Sequence, residues 1–235
     1  MRRHIAILSA ALFLGACVLA ATAAADAPSL FTRPGEMLGH TLRFRGTLTP
    51  GHAGRTLQIE RQEASGAWTA TATAVVGPDG SFLARWRADE IGSFPVRALI
   101  AGTQVQAADA APLTTSVTVY RPARATWFGP GFYGRHTACG QVMSHALLGV
   151  AHRTLPCGTP VAVFFAGKSI TVPVVDRGPF ANGARYDLTS ATAQVVGMTE
   201  TSTIGVVPQR GALMAPPAPP ARSPFAGTGG AAPTP

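Results

Sequence analysis

The sequence predicts an all-β protein, and three observations carry that expectation. Only 13% of the 235 residues are charged, and of the 19 basic side chains 18 are arginine, with Lys168 the single lysine. An all-helical chain would carry many more Glu and Lys. The chain also holds 26 Gly and 20 Pro, which interrupt helices. Its first half breaks into short runs of alternating apolar and polar residues separated by turn signals, the pattern of a β-sandwich. An apolar fraction of 46% is enough to bury a core, so low charge here does not mean disorder.

The first 25 residues read as an export signal. Met1-Arg2-Arg3-His4 is a short basic start, an apolar run covers residues 5–25, and Ala23-Ala24-Ala25 before Asp26 is a small-residue cleavage pattern. Leu14-Gly15-Ala16-Cys17 resembles a bacterial lipobox, so attachment of a lipid to Cys17 is the alternative. A transmembrane anchor is a third reading of the same run, which is Ala-rich and barely long enough to span. Cleavage and lipidation both place the mature protein across the membrane. Cys139 and Cys157 then remain, and an even pair in an exported chain reads as a disulfide. Such a bridge closes a loop of about 19 residues and is worth about 3 kcal/mol on a chain-entropy model. Two cysteines without histidines at ligand spacing do not make a zinc site, and no dinucleotide or phosphate-loop motif is present, so neither metal nor cofactor is expected.

Residues 28–122 follow as strands over 38–48, 56–62, 68–76, 82–88, 93–100 and 114–120. Leu57 and Ile59 alternate with Gln58 and Glu60, and Phe82, Ala84 and Trp86 alternate with Leu83, Arg85 and Arg87. Thr49-Pro50-Gly51, Ala64-Ser65-Gly66 and Gly77-Pro78-Asp79-Gly80 supply turns. Glu60 and Glu63 read as solvated charges, and His40 and His52 lie in or beside turns. The half resembles the immunoglobulin-like modules that precede bacterial cell-wall enzymes, which implies a spacer or binding role. Pro122, within Tyr120-Arg121-Pro122-Ala123-Arg124, is expected to end the last strand and mark the junction. At the far end, residues 209–235 are Pro, Ala and Gly with almost no charge, a tail expected to be disordered.

Residues 123–208 carry further strands over 125–128, 160–165, 169–175 and 204–207, and one helical segment over 189–196. Thr189 or Ser190 would cap that helix, with Asp187 just ahead of its positive end. Four motifs stand out in order. They are Trp127-Phe128-Gly129-Pro130-Gly131-Phe132-Tyr133-Gly134 with Thr137-Ala138-Cys139-Gly140; Ala151-His152-Arg153-Thr154-Leu155-Pro156 with Gly158-Thr159; Val175-Asp176-Arg177-Gly178-Pro179-Phe180; and Arg185-Tyr186-Asp187-Leu188-Thr189. Together they resemble the rare lipoprotein A (RlpA-like) family, whose barrel is related to that of expansins. The resemblance implies a six-stranded double-psi β-barrel acting on peptidoglycan glycan strands as a lytic transglycosylase, in the cell wall or periplasm.

The net charge of +8 divides as +2 in residues 1–25, +1 in 26–122, +4 in 123–210 and +1 beyond. The second half therefore holds only Asp176, Asp187 and Glu200 as acids, and Glu200 reads as a solvated loop charge. Ordinary glycoside hydrolysis needs two carboxyl groups. Lytic cleavage, in which the muramic C6 hydroxyl attacks its own anomeric carbon, can run on one. By position in the resembling motifs Asp176 is the catalytic candidate, or else it caps the turn at Gly178-Pro179. Asp187 is a second acid or a helix cap. His152 orients a carboxylate or bonds a sugar, or else is satisfied by backbone in the core. Gln141 stands where the family usually has a glutamate implicated in activity; an amide cannot transfer protons but can bond a sugar. Arg177 is a substrate contact or a partner of Asp176. Tyr133 is the aromatic expected in a groove, while Trp127 and Phe128 are expected in the barrel core. The competing function is non-catalytic, expansin-like glycan binding and wall loosening. Export makes nucleic acid an unsuitable partner for the positive charge and favours anionic wall polymers or phospholipid.

Overall fold

A computed structural model describes residues 27–102, 112–181 and 183–209. The expected export segment with Cys17, and the expected tail beyond Gln209, lie outside the described residues. No helix among those described is long and apolar enough to cross a membrane.

The first half forms two sheets around one core. Strands β1 (Ser29–Phe31), β2 (Gly35–Met37), β3 (Thr41–Thr47), β4 (Thr56–Gln62), β5 (Trp68–Val75), β6 (Ser81–Arg87), β7 (Gly92–Ile100) and β8 (Leu113–Phe128) follow in order. One sheet runs β1-β3-β6; the facing one runs β5-β4-β7-β8, with β2 added parallel to β8. Alternation produces this directly. In β3 and β6 every second side chain is buried, sending Leu42, Phe44, Phe82 and Trp86 inward against Leu57, Ile59, Val96 and Val119 of the other sheet. The turn before β6 needs Gly80, at φ +83°, while the Asp79 carboxylate accepts the Ser81 amide.

Glu60 and Glu63 are not solvated charges. Glu60 accepts from Arg97 at 2.7 Å. Glu63, Asp89 and Glu90 all bind Arg61, which is only 8% exposed. The Arg61 guanidinium also lies 5.4 Å and 5.1 Å from the ring centres of Trp86 and Phe94. Three carboxylates and two aromatic faces replace the water that this arginine loses.

The second half is a closed six-stranded barrel. The end of β8 pairs in parallel with β12 (Tyr186–Thr189), and β12 pairs antiparallel with β9 (Val150–Ala151). β9 is parallel to β11 (Lys168–Asp176), and β11 is antiparallel to β10 (Pro160–Phe165). β10 pairs with β13 (Ser202–Pro208), which returns antiparallel to β8 and closes the ring. Its core is filled by Val, Ala, Ile and Leu side chains such as Val150, Val163, Leu188 and Ile204. The one α-helix among the described residues, α1 (Ser190–Val196), is capped by Thr189, whose side chain accepts from the Thr192 amide, and ends at Gly197 in the left-handed region. Asp187 is therefore not a helix cap; it lies inside β12.

Pro122 does not end a strand. β8 runs through it and belongs to both halves. The flanking strands explain why. β7 and β2 pair with β8 only as far as Val119 and Tyr120, β12 starts at Ala125, and Pro122 is paired with Gly205 of β13 alone. The missing N–H thus falls in a gap between ladders. Beside it, Tyr120 stacks on Phe164 with ring centres 4.9 Å apart. Gly205 permits this contact, since a Cβ there would lie 2.5 Å from the Tyr120 Cβ. Tyr120, Ala162 and Phe164 form a small buried cluster joining the halves, packed against Met37 and Val207.

Candidate active site

Asp176 ends β11 and Asp187 lies in β12, and both are in register with Ala151 of β9 between them. Two strand spacings, roughly 10 Å, separate the two backbones. In-register residues project to the same face, so the barrel's short central strand brings together carboxyl groups eleven residues apart in sequence.

The two acids have different surroundings. One Asp176 oxygen accepts the backbone N–H groups of Ala138 and Arg177, each at 2.8 Å. Asp187 accepts one hydroxyl bond, from Thr126 at 2.8 Å, and is half-buried. Burial pushes its pKa above the ordinary carboxyl range, the Thr126 bond opposes this, and the negative charge of Asp176 adds to the rise. These surroundings favour the protonated form of Asp187.

Asp187 also faces open space. A cleft of about 420 Å³ is lined by Asp187, Thr126, Trp127, Pro179, Phe180 and Thr201. Phe180 is 78% exposed and Trp127 is 38% exposed. Trp127 is therefore a wall of the cleft, not core; its indole N–H is held by the Thr199 carbonyl at 3.1 Å. Alternation alone would send Trp127 inward with Ala123 and Ala125, which point into the barrel; it sits one residue from the end of β8, where it is exposed. Two exposed aromatic faces beside a carboxyl group of raised pKa suit a sugar ring, which stacks through its C–H face and bonds through its hydroxyls.

The remaining expected residues lie around the base of this arrangement, and none lines the cleft among the described residues. Gln141 has three acceptors around one end of its amide, Thr137 Oγ1 at 3.0 Å, Val175 O at 3.2 Å and Cys139 O at 3.3 Å, so its nitrogen belongs there. It ties the loop carrying Ala138 to the end of β11. The disulfide Cys139–Cys157 anchors the same loop to the segment after β9. Arg177 donates its guanidinium to the carbonyls of His152 and Leu155 and to Cys157 Sγ, and reaches Asp176 only through its backbone N–H. His152 accepts the Thr154 and Leu155 amides at Nδ1 and packs on Tyr186. Burial and the nearby Arg185, Arg177 and Arg153 lower its pKa, which favours a neutral ring protonated at Nε2. Tyr133 shares a hydrogen bond with Ser190 at 3.0 Å and stacks on His145. Arg153 holds the Pro179 and Ala184 carbonyls and so fixes the loop that presents Phe180.

Sequence reasoning missed Trp127, Phe180 and Thr126 as parts of one cleft. Phe180 lay within a quoted motif, and an aromatic after a Gly-Pro turn was the available signal. No group of three or more metal-ligating side chains occurs among the described residues.

Residues 120–209 match a family model described as "Lytic transglycolase". A Synechocystis sp. protein named "Probable endolytic peptidoglycan transglycosylase RlpA" is 38% identical over 118 residues, covering 49% of this chain and 36% of that protein. The Campylobacter jejuni "Endolytic peptidoglycan transglycosylase RlpA" is 38% identical over 84 residues, covering 35% of this chain and 30% of its own length. An Aquifex aeolicus relative named "Probable endolytic peptidoglycan transglycosylase RlpA" is 41% identical over 86 residues, 36% of this chain and 37% of that one. The chain thus spans about a third of the length of these curated relatives.

Proposed function

Residues 120–209 belong to the RlpA-like double-psi β-barrel family, and from that premise we propose that this chain is an exported enzyme cleaving peptidoglycan glycan strands to leave 1,6-anhydromuramyl ends. The observation that carries the proposal is Asp187, a carboxyl group with a raised pKa at the floor of a cleft walled by Trp127 and Phe180. A carboxyl group whose pKa is raised, in a sugar-sized cleft, suits protonation of a departing glycosidic oxygen.

The proposed step uses one proton donor. Asp187 gives its proton to the glycosidic oxygen as the bond from the muramic C1 to that oxygen breaks. The C6 hydroxyl oxygen of the same sugar bonds to C1, and its proton passes to the Asp187 carboxylate. The acid is regenerated, and no water enters the products. The attack is intramolecular, so the entropic cost of placing a nucleophile is already met. Asp176 contributes a negative charge that adds to the effect of burial in raising the Asp187 pKa and steadies the cationic sugar in the transition state. Gln141 and the Cys139–Cys157 bridge support that charge by holding the Ala138 amide on it. Residues 28–122 are proposed as an immunoglobulin-like module that carries the barrel 123–208.

Gln141 also favours a second reading, non-catalytic glycan binding of the expansin kind, because a glutamate is expected at its position. One experiment decides. Mature protein is incubated with purified sacculi and with naked glycan strands, and the products are analysed by mass spectrometry. The proposal expects new 1,6-anhydromuramyl ends from wild type and none from Asp187→Asn. Retention of wild type on sacculi with no new ends sinks the enzymatic reading and leaves the binding one.

A further inference from the structure

The first half has a nearly balanced charge in sequence, but the fold separates that charge by location. Its carboxylates are taken: Glu60 by Arg97, and Glu63 with the exposed Asp89 and Glu90 by Arg61. Its other arginines, Arg33, Arg43, Arg45, Arg55, Arg85, Arg87 and Arg121, are exposed and make no ion pair among the described residues. Four of them stand on the outer face of the β1-β3-β6 sheet.

Register sets their arrangement. Arg43 is directly opposite Arg85, Arg45 is flanked by Phe31 and Leu83, and Arg87 is opposite Thr41. Successive outward residues on a strand are about 6.7 Å apart, and adjacent strands about 4.8 Å. The face is thus a two-row grid of guanidinium groups. Like charges opposite each other in a sheet are destabilising, so the Arg43–Arg85 pair costs the isolated protein stability. The face is not flat. A cleft of about 380 Å³ opens between Arg43 and Arg45 and the chain carrying Phe31, Arg33 and Glu36. Phe31 beside it is 63% exposed. Glu36 is the one carboxylate in that lining, and it already accepts the Met37 amide and lies 3.5 Å from His40. Asp79, in the turn before β6, accepts the Ser81 amide.

We propose that this face is a binding site for a linear phosphate-bearing polymer, whose successive phosphates lie along the arginine rows while one segment enters the cleft beside Phe31. The grid fits phosphate better than carboxylate. One bidentate guanidinium occupies both oxygens of a planar carboxylate, whereas the tetrahedral oxygens of a phosphate accept forks from two directions, as Arg43 and Arg85 offer. The cleft beside Phe31 admits a single polymer strand, which a flat membrane surface cannot enter. The site is remote from Asp187 in sequence and structure, and does not depend on glycan cleavage.

The test uses the full mature chain and a synthetic glycerol-phosphate hexamer in titration calorimetry at low salt. Expected is saturable binding that weakens at least ten-fold in the Arg43→Gln/Arg85→Gln double variant and is unchanged in Arg124→Gln/Arg135→Gln. The first variant is also expected to melt a few degrees higher, since it removes facing like charges. That gain separates a binding face from a structural one. No binding of the hexamer overturns the proposal. Equal weakening by both double variants overturns it in favour of unspecific charge. Equally tight binding of hexaglutamate overturns the phosphate assignment, and binding confined to phosphatidylglycerol vesicles overturns it in favour of a membrane surface.

Discussion

In the two-sheet half, Arg61 binds Glu63, Asp89 and Glu90 between the faces of Trp86 and Phe94, and Arg97 binds Glu60. In the barrel, neither Asp176 nor Asp187 touches an arginine side chain, although Arg177 follows Asp176 directly. The barrel's guanidinium groups bind carbonyl oxygens instead, Arg177 those of His152 and Leu155, Arg153 those of Pro179 and Ala184. The difference separates charge used for stability from charge left to act. A carboxylate locked to arginine has its pKa lowered and cannot donate a proton near neutral pH. Asp187, partly buried and beside a second carboxylate, holds its proton further up the pH scale, against the opposing Thr126 hydrogen bond.

The sharpest way to break this comparison is to remove the acting charge. Asp187→Asn keeps an oxygen for the Thr126 hydroxyl but no proton to give. Anhydromuramyl product formation should fall at least a thousand-fold, about 4 kcal/mol of barrier. The melting temperature at pH 7 should rise, because folding disfavours ionised Asp187. A raised folded pKa means its contribution to stability is full below the unfolded carboxyl value and lost as pH climbs through the folded one. Activity should follow the same direction, declining as pH rises past that value. Asp176→Asn should move the midpoint downward by removing the neighbouring charge.

The paired charge should behave oppositely. Arg61→Met is expected to destabilise by about 3 kcal/mol, read from urea unfolding, while leaving glycan cleavage by the folded fraction intact. An equal loss of specific activity would deny the division between the halves. The bridge comes next. Replacing Cys139 and Cys157 together with Ser should cost up to about 3 kcal/mol and lower cleavage, since the Ala138 loop is freed from the segment after β9. The smallest effect is expected of Gln141→Leu, about 1 kcal/mol of stability with a measurable drop in turnover. No drop would separate Gln141 from the support of Asp176. His152 supplies a control of opposite sign. Its pKa is lowered, so its stabilisation is present above the unfolded histidine value and lost as pH falls through the folded one.

Much of the fold was legible where periodicity was long enough to see. The strands over 56–62 and 160–165 were expected with the bounds they have, because alternation or a continuous apolar run fills each. β1, β2 and β9 hold two or three residues each, too few to show a period. Pro122 misled because the rule against proline in strands concerns a missing donor, and whether a donor is needed depends on neighbours that sequence does not reveal. The site was legible as residue types and not as directions. Asp176 and Asp187 were named, but their meeting across Ala151 is a matter of ring closure. Gln141 and Arg177 were polar residues beside a candidate acid. Only packing shows that one amide is taken up by Thr137, Cys139 and Val175, and one guanidinium by carbonyls. Trp127 is expected inside because large aromatics usually are, and it shares the inward phase of Ala123 and Ala125, yet it lies at the end of β8 and lines the cleft.

The strand shared by both halves has a further consequence. β8 is a 16-residue beam of roughly 50 Å, clamped at its middle by the Tyr120–Phe164 stack instead of hinged there. Whatever the first half holds, the cleft at Trp127 cannot roam from it as it would on a floppy linker. Its effective concentration is high for bonds at one set distance from the point of attachment and low for all others. Under the proposed activity the shared strand is a ruler for the cleft, with reach set by strand length and lost if residues inserted at Ala123 make the beam jointed.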